Sequence, residues 1–331
     1  MQTDRPEKWQ QILADLVTDP KELLQILDLQ PHPGITAENG ARRFPLRVPR
    51  PFTSRMRKGD WNDPLLRQVW PFKEEDEPVA GLSTDPLAES QYNPRPGILH
   101  KYPGRALLNA APHCAVHCRY CFRRHFDYAA NTPSRRQWQL SLDYIRDDDS
   151  IQEVILSGGD PFSAPDRQLA WLLRELDAIQ HLQTLRIHTR FPLMIPQRVT
   201  TSLVDTISAS RLQSIVVLHC NHANELVGED IATALAKLRV GGSVLLNQAV
   251  ILAGVNDSTA AQIALNRALF IYNVLPYYLH MPDPVAATRH FQVSETKAKA
   301  IVTAMRTRLP GYLVPRLVRE IPGADAKTLL A

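Results

Sequence analysis

From about residue 105 the chain repeats one pattern, a short apolar run followed by a helix-like run. The strand candidates are Arg105–Ala110, Glu153–Ser157, Thr184–Thr189, Ser214–His219, Ser243–Ile251 and Val274–His280. Helical stretches such as Arg167–Ile179, Asp230–Val240 and Ala260–Tyr272 lie between them. Strand-then-helix units in series constrain a chain strongly. Parallel neighbours need a crossover, and that crossover is right-handed. The pattern predicts an α/β fold with a parallel sheet, and six units rather than eight predict an incomplete (β/α)6 barrel. Ligands of such sheets sit at the carboxyl ends of the strands.

The loop after the first of these strands reads Cys114-Ala115-Val116-His117-Cys118-Arg119-Tyr120-Cys121, which holds three of the 4 cysteines. Close-set thiolates of this kind hold iron–sulfur clusters. A [4Fe–4S] cube ligated by Cys114, Cys118 and Cys121 leaves one iron open, and an open iron can bind a substrate or cofactor. The spacing, with an aromatic residue just before the last cysteine, resembles the radical S-adenosylmethionine (SAM) enzymes. There the open iron chelates the amino and carboxylate groups of SAM, whose reductive cleavage gives a 5′-deoxyadenosyl radical. A structural zinc site would need a fourth ligand, for which His113, His117 or His125 could serve, but no second ligand pair follows at zinc-finger spacing. A disulfide does not suit so few cysteines without a secretory signal. Cys220 reads as a small buried residue rather than a fourth ligand.

The remaining bulk properties bound the protein class. Hydrophobic residues make up 44% of the 331 and charged residues 22%, as in a soluble protein with a sizeable core. A net charge of +4 is too small for a nucleic-acid footprint. No apolar run approaches membrane-spanning length. Met1-Gln2-Thr3-Asp4-Arg5 has no apolar core behind it, so no signal peptide is expected and the expected compartment is the cytoplasm. Residues 1–95 are expected to form a helical and extended region capping a barrel end. Trp9, Ile12, Leu13 and Leu16 recur at helical spacing, Lys21 to Leu29 make a second amphipathic run, residues 44–60 read as extended, and residues 75–98 read as a surface connection. Residues 96–310 would be the barrel and 311–331 a short terminal segment.

The strand ends are polar. The second ends in Ser157-Gly158-Gly159-Asp160, where glycines let a backbone approach a ligand. In radical SAM enzymes a Gly-Gly-Glu-like turn at this point contacts the SAM amino group, and Gly158-Gly159-Asp160 looks like it. His188-Thr189-Arg190, His219-Cys220-Asn221-His222 and Asn247-Gln248 end the next three strands.

The resemblance extends to one family. His100-Lys101-Tyr102-Pro103-Gly104-Arg105, Cys121-Phe122-Arg123-Arg124, Ser157 to Asp160, Pro276-Tyr277-Tyr278 and Gly311-Tyr312-Leu313-Val314-Pro315 look like lysine 2,3-aminomutase, from about residue 45 to the end. Members use SAM, a [4Fe–4S] cluster and pyridoxal 5′-phosphate (PLP) to move the α-amino group of lysine to the β-carbon. The resemblance implies that Lys327, closing Val318-Arg319-Glu320-Ile321-Pro322-Gly323-Ala324-Asp325-Ala326, carries PLP. Here Gly-Ala-Asp-Ala replaces the family's all-glycine stretch. Lys101, Tyr102 and Arg105 match positions that contact the PLP phosphate. Arg123 matches the partner of the lysine carboxylate, and a guanidinium fork suits that role. Asp283 and Glu320 match the acids that hold the ε-ammonium. Arg124 reads as a surface charge or a fold support.

Among aminomutases the chain is most similar to the bacterial branch making (R)-β-lysine for elongation factor P, through Val17 to Leu24 and the short distance from Lys327 to the chain end. That implies L-lysine as substrate, a functional link to elongation factor P and its lysyl ligase, and a reductant such as flavodoxin. It implies no nucleic acid or membrane partner, and a homo-oligomer is compatible with it. Two alternatives stay open: an aminomutase making free β-lysine or acting on glutamate, and a non-catalytic, cluster-bearing interaction protein. Two acids at 283 and 320 would repel the glutamate side chain.

Overall fold

The chain was obtained as a computed structural model that describes residues 8–31, 36, 42–77, 79–126 and 134–331; the opening Met1 to Arg5 lie outside them. Among the described residues nine strands follow one another in a single sheet: β1 (Ile98–Tyr102), β2 (Arg105–Ala111), β3 (Glu153–Gly158), β4 (Thr184–Thr189), β5 (Gln213–Leu218), β6 (Val244–Val250), β7 (Leu275–His280), β8 (Arg316–Arg319) and β9 (Thr328–Leu329). From β2 to β8 each pairs in parallel with the next. The six expected strands are β2 to β7. The helix Glu295–Arg306 then leads into β8, a further parallel strand. The two ends of the sheet are antiparallel hairpins, β1 on β2 and β9 on β8, so it is an open, partial barrel.

The crossover helices bury one stripe each. In Asp166–Asp177 the buried residues are Leu169, Leu172, Leu173 and Leu176, the three-and-four spacing of a helix lying on a sheet. Ser134, Thr200, Ser258 and Ser294 each accept a backbone N–H of the helix that follows, which fixes where those helices start. Strand side chains alternate between the apolar helix layer and the barrel interior. Val154 and Leu156 of β3 are fully buried on the helix side, whereas Glu153, Ile155 and Ser157 face the inside of the barrel.

The region before the barrel shares this core. Its helices Lys8–Ala14 and Pro20–Ile26 supply Trp9, Leu23 and Leu24 to one buried cluster that continues to Leu317. The Arg198 guanidinium lies 4.4 Å from the Trp9 ring centre. The stretch read as extended pairs Val48 with Val17 and then makes a helical turn, Arg50–Thr53. The stretch read as a surface connection buries Glu75 and Leu87, each 5% exposed. Among the described residues no helix is long and apolar enough to cross a membrane.

Candidate active site

A cavity of about 550 Å³ runs down the inside of the partial barrel. Alternate residues of the strands line it: Glu153, Ile155 and Ser157 of β3, Arg186 and His188 of β4, Leu246, Gln248 and Val250 of β6, Tyr278 and His280 of β7. Every residue singled out above for cluster, cofactor or substrate is on this wall. The cavity is deeper than the carboxyl-end mouth expected from the topology. Arg105 begins β2, so the group Lys101, Tyr102 and Arg105 lies toward the amino end of the sheet, opposite the cysteine loop.

The cysteine loop is clasped from two sides. The region before the barrel holds one side: Arg47 O and Gln68 O accept the backbone N–H groups of His117 at 3.0 Å and Arg119 at 2.8 Å, and the Phe44 ring stacks on His117 at 4.5 Å. Arg119, fully buried, donates through Nε to Glu75 Oε1 at 2.7 Å, and Arg124 donates to Glu75 Oε2 at 2.8 Å. Arg124 is therefore a fold support. The turn after β3 holds the other side. A Cβ on Gly159 would stand 2.5 Å from His113 O, so only glycine permits this contact. Asp160 N donates to the same oxygen at 2.8 Å.

Cys114, Cys118 and Cys121 are free thiols facing the cavity, and Arg190 Nη1 donates to Cys118 Sγ at 2.7 Å. Burial, then nearby Asp160 and the other two thiols, push Cys114 well up; burial and then Cys118 push Cys121 up to about 12. Without a metal Cys114 and Cys121 therefore sit here protonated, whereas iron, which takes thiolates, would displace the protons. Among the described residues no three His, Cys, Asp or Glu groups converge on a single ion. The donor set suits a cube, which takes one thiolate per iron. Cys220 is buried in the core, its backbone N–H bound to Asn247 Oδ1 at 2.9 Å.

The Asp160 carboxylate is engaged within the fold. It accepts from Phe162 N, Thr189 Oγ1, Arg190 N and Phe191 N at 2.6–3.2 Å. It staples β3 to the end of β4. His188, Thr189, Arg190, His219 and Gln248 line the cavity, while Asn221 donates at 2.7 Å to Tyr120 Oη behind it. Burial lowers all three imidazoles on the wall, His219 and His280 to about 3 and His188 well below its usual value. These three imidazoles therefore add polarity but no charge to the wall. His188 Nε2 is buried without a partner among the described residues.

The β8–β9 hairpin returns Lys327 to the lumen. Lys327 Nζ donates to Glu320 Oε2, and Lys101 Nζ donates to Glu320 Oε1 at 2.9 Å. Burial alone would raise Glu320, but Lys327 and Lys101 together hold it at about 2. Asp283 behaves oppositely: burial first, then the Glu320 charge, push it up to about 7. Pro103 and Gly104 (φ +75°) turn the β1–β2 hairpin. Lys101 and Arg105 flank the Tyr102 ring at 5.4 and 4.7 Å. The Tyr102 hydroxyl is buried outside hydrogen-bonding geometry with any described neighbour, and burial, then Glu320, raise its pKa. Two cations beside an unpartnered buried hydroxyl fit a phosphate, and Lys327 is within reach of the same space.

Arg123 already grips a carboxylate. Its Nε and Nη2 donate to Glu89 Oε2 at 2.9 Å and Oε1 at 2.6 Å, and its Nη1 reaches Gly158 O at 3.2 Å. Glu89, Gln68 and Glu75 were not singled out in the sequence. All lie in the region before the barrel, where nothing local marks them.

Comparison with known proteins gives consistent relatives. The chain is 49% identical to L-lysine 2,3-aminomutase of Escherichia coli (strain K12), over 100% of this chain and 96% of that protein. It is 46% identical to that of Haemophilus influenzae, over 98% and 96%. Against that of Clostridium subterminale the identity is 34%, over 81% of this chain and 64% of the other. Among solved structures, a radical SAM methyltransferase from Sphaerobacter thermophilus is distantly similar, with TM-score 0.47 and 16% identity over 67% of this chain and 68% of that one. No family model matches.

Proposed function

The chain belongs to the lysine 2,3-aminomutase family and is an enzyme of isomerase type, and from that premise we propose that it converts (S)-α-lysine to (R)-β-lysine. The observation that carries this reading is one lumen holding three facing thiols, a lysine on a terminal hairpin, and separate cationic and acidic groups for the two ends of an amino acid. When bound, a [4Fe–4S] cluster on Cys114, Cys118 and Cys121 with SAM at its open iron supplies a carbon radical, and PLP on Lys327 supplies the carrier on which nitrogen migrates.

The chain's own groups do the rest. Lys101, Arg105 and Tyr102 hold the phosphate. The backbone of Ser157, Gly158 and Gly159 receives the SAM amino end, and Asp160 keeps that turn in place. Arg123 holds the substrate carboxylate through its fork. Asp283 and Glu320 hold the ε-ammonium. Neutral His188 and His280 and the apolar Leu246 and Ile155 wall the lumen, which keeps water from a radical. Fixing both ends of the substrate sets its β-carbon in one place, which is the main service a protein gives such chemistry.

The acids make the substrate preference testable. A charge-assisted hydrogen bond contributes about 1.5–3 kcal/mol. Removing the ε-ammonium also leaves a buried acid unpaired. L-Lysine should be turned over roughly a hundredfold or more better than L-norleucine or L-glutamate. Equal turnover of norleucine would refute the assignment of Asp283 and Glu320.

We further propose that the β-lysine serves elongation factor P in the cytoplasm, through that factor's lysyl ligase, with a flavodoxin as reductant. The resemblance of the Val17–Leu24 opening to that branch supports this, and the relatives matched nearly end to end support the lysine aminomutase activity it requires. The test is competition: the ligase, offered α-lysine with this enzyme active or inactive, should load elongation factor P faster with the active one.

A further inference from the structure

The Arg123 fork can hold one carboxylate, and in this structure Glu89 has it. The pair is largely shielded, with side-chain exposures of 5% and 13%. Arg123 cannot turn away easily, because Nη1 is tied to the end of β3 at Gly158 O (3.2 Å) and Ser157 Oγ (3.3 Å). A ligand carboxylate and Glu89 therefore compete for the same Nε–Nη2 edge.

Glu89 lies on a strap that crosses the cavity. One end is pinned beside Asp283: Ser83 N donates to Pro284 O at 2.8 Å, and Ala286 N donates to Ser83 O at 2.9 Å. The other end touches the segment carrying Lys327, where Gly323 N donates to Tyr92 Oη at 3.1 Å. Between the pins most of the strap's hydrogen bonds are its own, with Leu87 buried toward the lumen. Asp85 accepts from Glu89 N and Ser90 Oγ, both at 3.0 Å. Ala88, just before Glu89, has φ +51°, a left-handed conformation that residues with a Cβ rarely hold. A second cavity of about 380 Å³ lies on the outer side, lined by Asp85, Ser90 and Asn93 of the strap and by His125 and Phe126. Glu89, Phe122 and Arg123 line both cavities, so the ion pair is part of the wall between them.

We infer that Glu89 is an internal stand-in for the substrate carboxylate and the latch of a gate: an incoming amino-acid carboxylate displaces it from Arg123, and residues 83–92 loosen to connect the outer cavity with the lumen. The exchange conserves charge at Arg123, since one carboxylate replaces another. It makes gate opening depend on a free α-carboxylate, so an amine without one does not release the latch. This rests on the reading of Arg123 as the carboxylate partner.

The test uses PLP- and cluster-loaded enzyme without SAM, so that no turnover occurs. L-Lysine and L-lysinamide, which lacks the carboxylate charge, are titrated by calorimetry. Hydrogen exchange is followed at residues 83–92. Lysine should speed exchange of the strap, and lysinamide should not. Glu89→Ala should bind lysine about tenfold more tightly, the effect of removing one competing charge-assisted contact, and lysinamide as before. Glu89→Gln, which keeps the packing, should show the same direction. Unchanged lysine affinity in both variants, with no change in strap exchange when lysine binds the wild type, would overturn the latch while leaving the functional reading intact. Wild-type lysine affinity in Arg123→Gln would instead overturn the carboxylate assignment itself, and the latch with it.

Discussion

Replacing Glu75 by Gln should unfasten the cysteine loop. The carboxylate serves two guanidiniums, Arg119 Nε at 2.7 Å and Arg124 Nη2 at 2.8 Å. The side chains of Glu75 and Arg119 are 0% exposed and that of Arg124 2%. Water cannot take over from the lost charge. Breaking a buried pair by removing one partner costs about 3–5 kcal/mol, because the remaining charge stays desolvated. The amide oxygen of Gln can still accept one bond, which favours the lower half of that range. For a chain of 331 residues 1 kcal/mol moves the melting midpoint by about 1.5 °C, so a fall of roughly 4–6 °C is expected. The loop between the two arginines contains Cys121, so iron retention after reconstitution should fall with it. Differential scanning calorimetry and iron analysis read the two effects. Asp143→Asn breaks a pair whose side chains are 45% and 42% exposed and should leave both unchanged. A Glu75→Gln midpoint within about 2 °C of wild type, with full iron, would refute the idea that the leading region clasps the cluster loop.

Asp283 gives a pH prediction. Its folded-state pKa is raised to about 7, so below that pH the carboxyl is protonated, and an arriving ammonium favours the ionised form. Lysine affinity should thus rise with pH up to about 7 and flatten above it, with proton release detectable at pH 6 by calorimetry in buffers of different ionisation heat; Asp283→Asn should abolish the slope, and an unchanged slope would exclude Asp283 as its source. Borohydride reduction of PLP-loaded enzyme should place the pyridoxyl label on Lys327, and a label on Lys237, Lys297 or Lys299 would contradict the assignment. Cys118→Ala should lose the [4Fe–4S] absorbance and SAM cleavage while keeping that label, whereas full SAM cleavage would exclude the thiol as an iron ligand.

How much was legible in the sequence depended on whether the signal was local. Six strands were found because each is a compact apolar run between turn signals. β8 and β9 were not, since Arg316–Arg319 has charged ends and Thr328–Leu329 is two residues long. They exist because β7 offers an edge and β8 another. The cysteine spacing announced its loop, but the clasp did not, because Glu75 meets Arg119 and Arg124 across 44 and 49 residues. Lys101 and Glu320 meet across 219. Asp160 was read from its motif as part of a ligand-contacting turn, and that its carboxylate also accepts from four donors of the fold was not legible there. A motif names the residue types at a turn; which of their atoms face a ligand depends on neighbours that only the folded chain brings near.

The central claim is that one lumen rearranges lysine by radical chemistry. Reconstituted enzyme, kept anaerobic with L-lysine, SAM, PLP and dithionite, should form β-lysine of R configuration, resolved on a chiral column, and only when all four are present. Cleavage of SAM with no β-lysine formed, or formation of β-lysine by Lys327→Ala at the wild-type rate, would contradict the account.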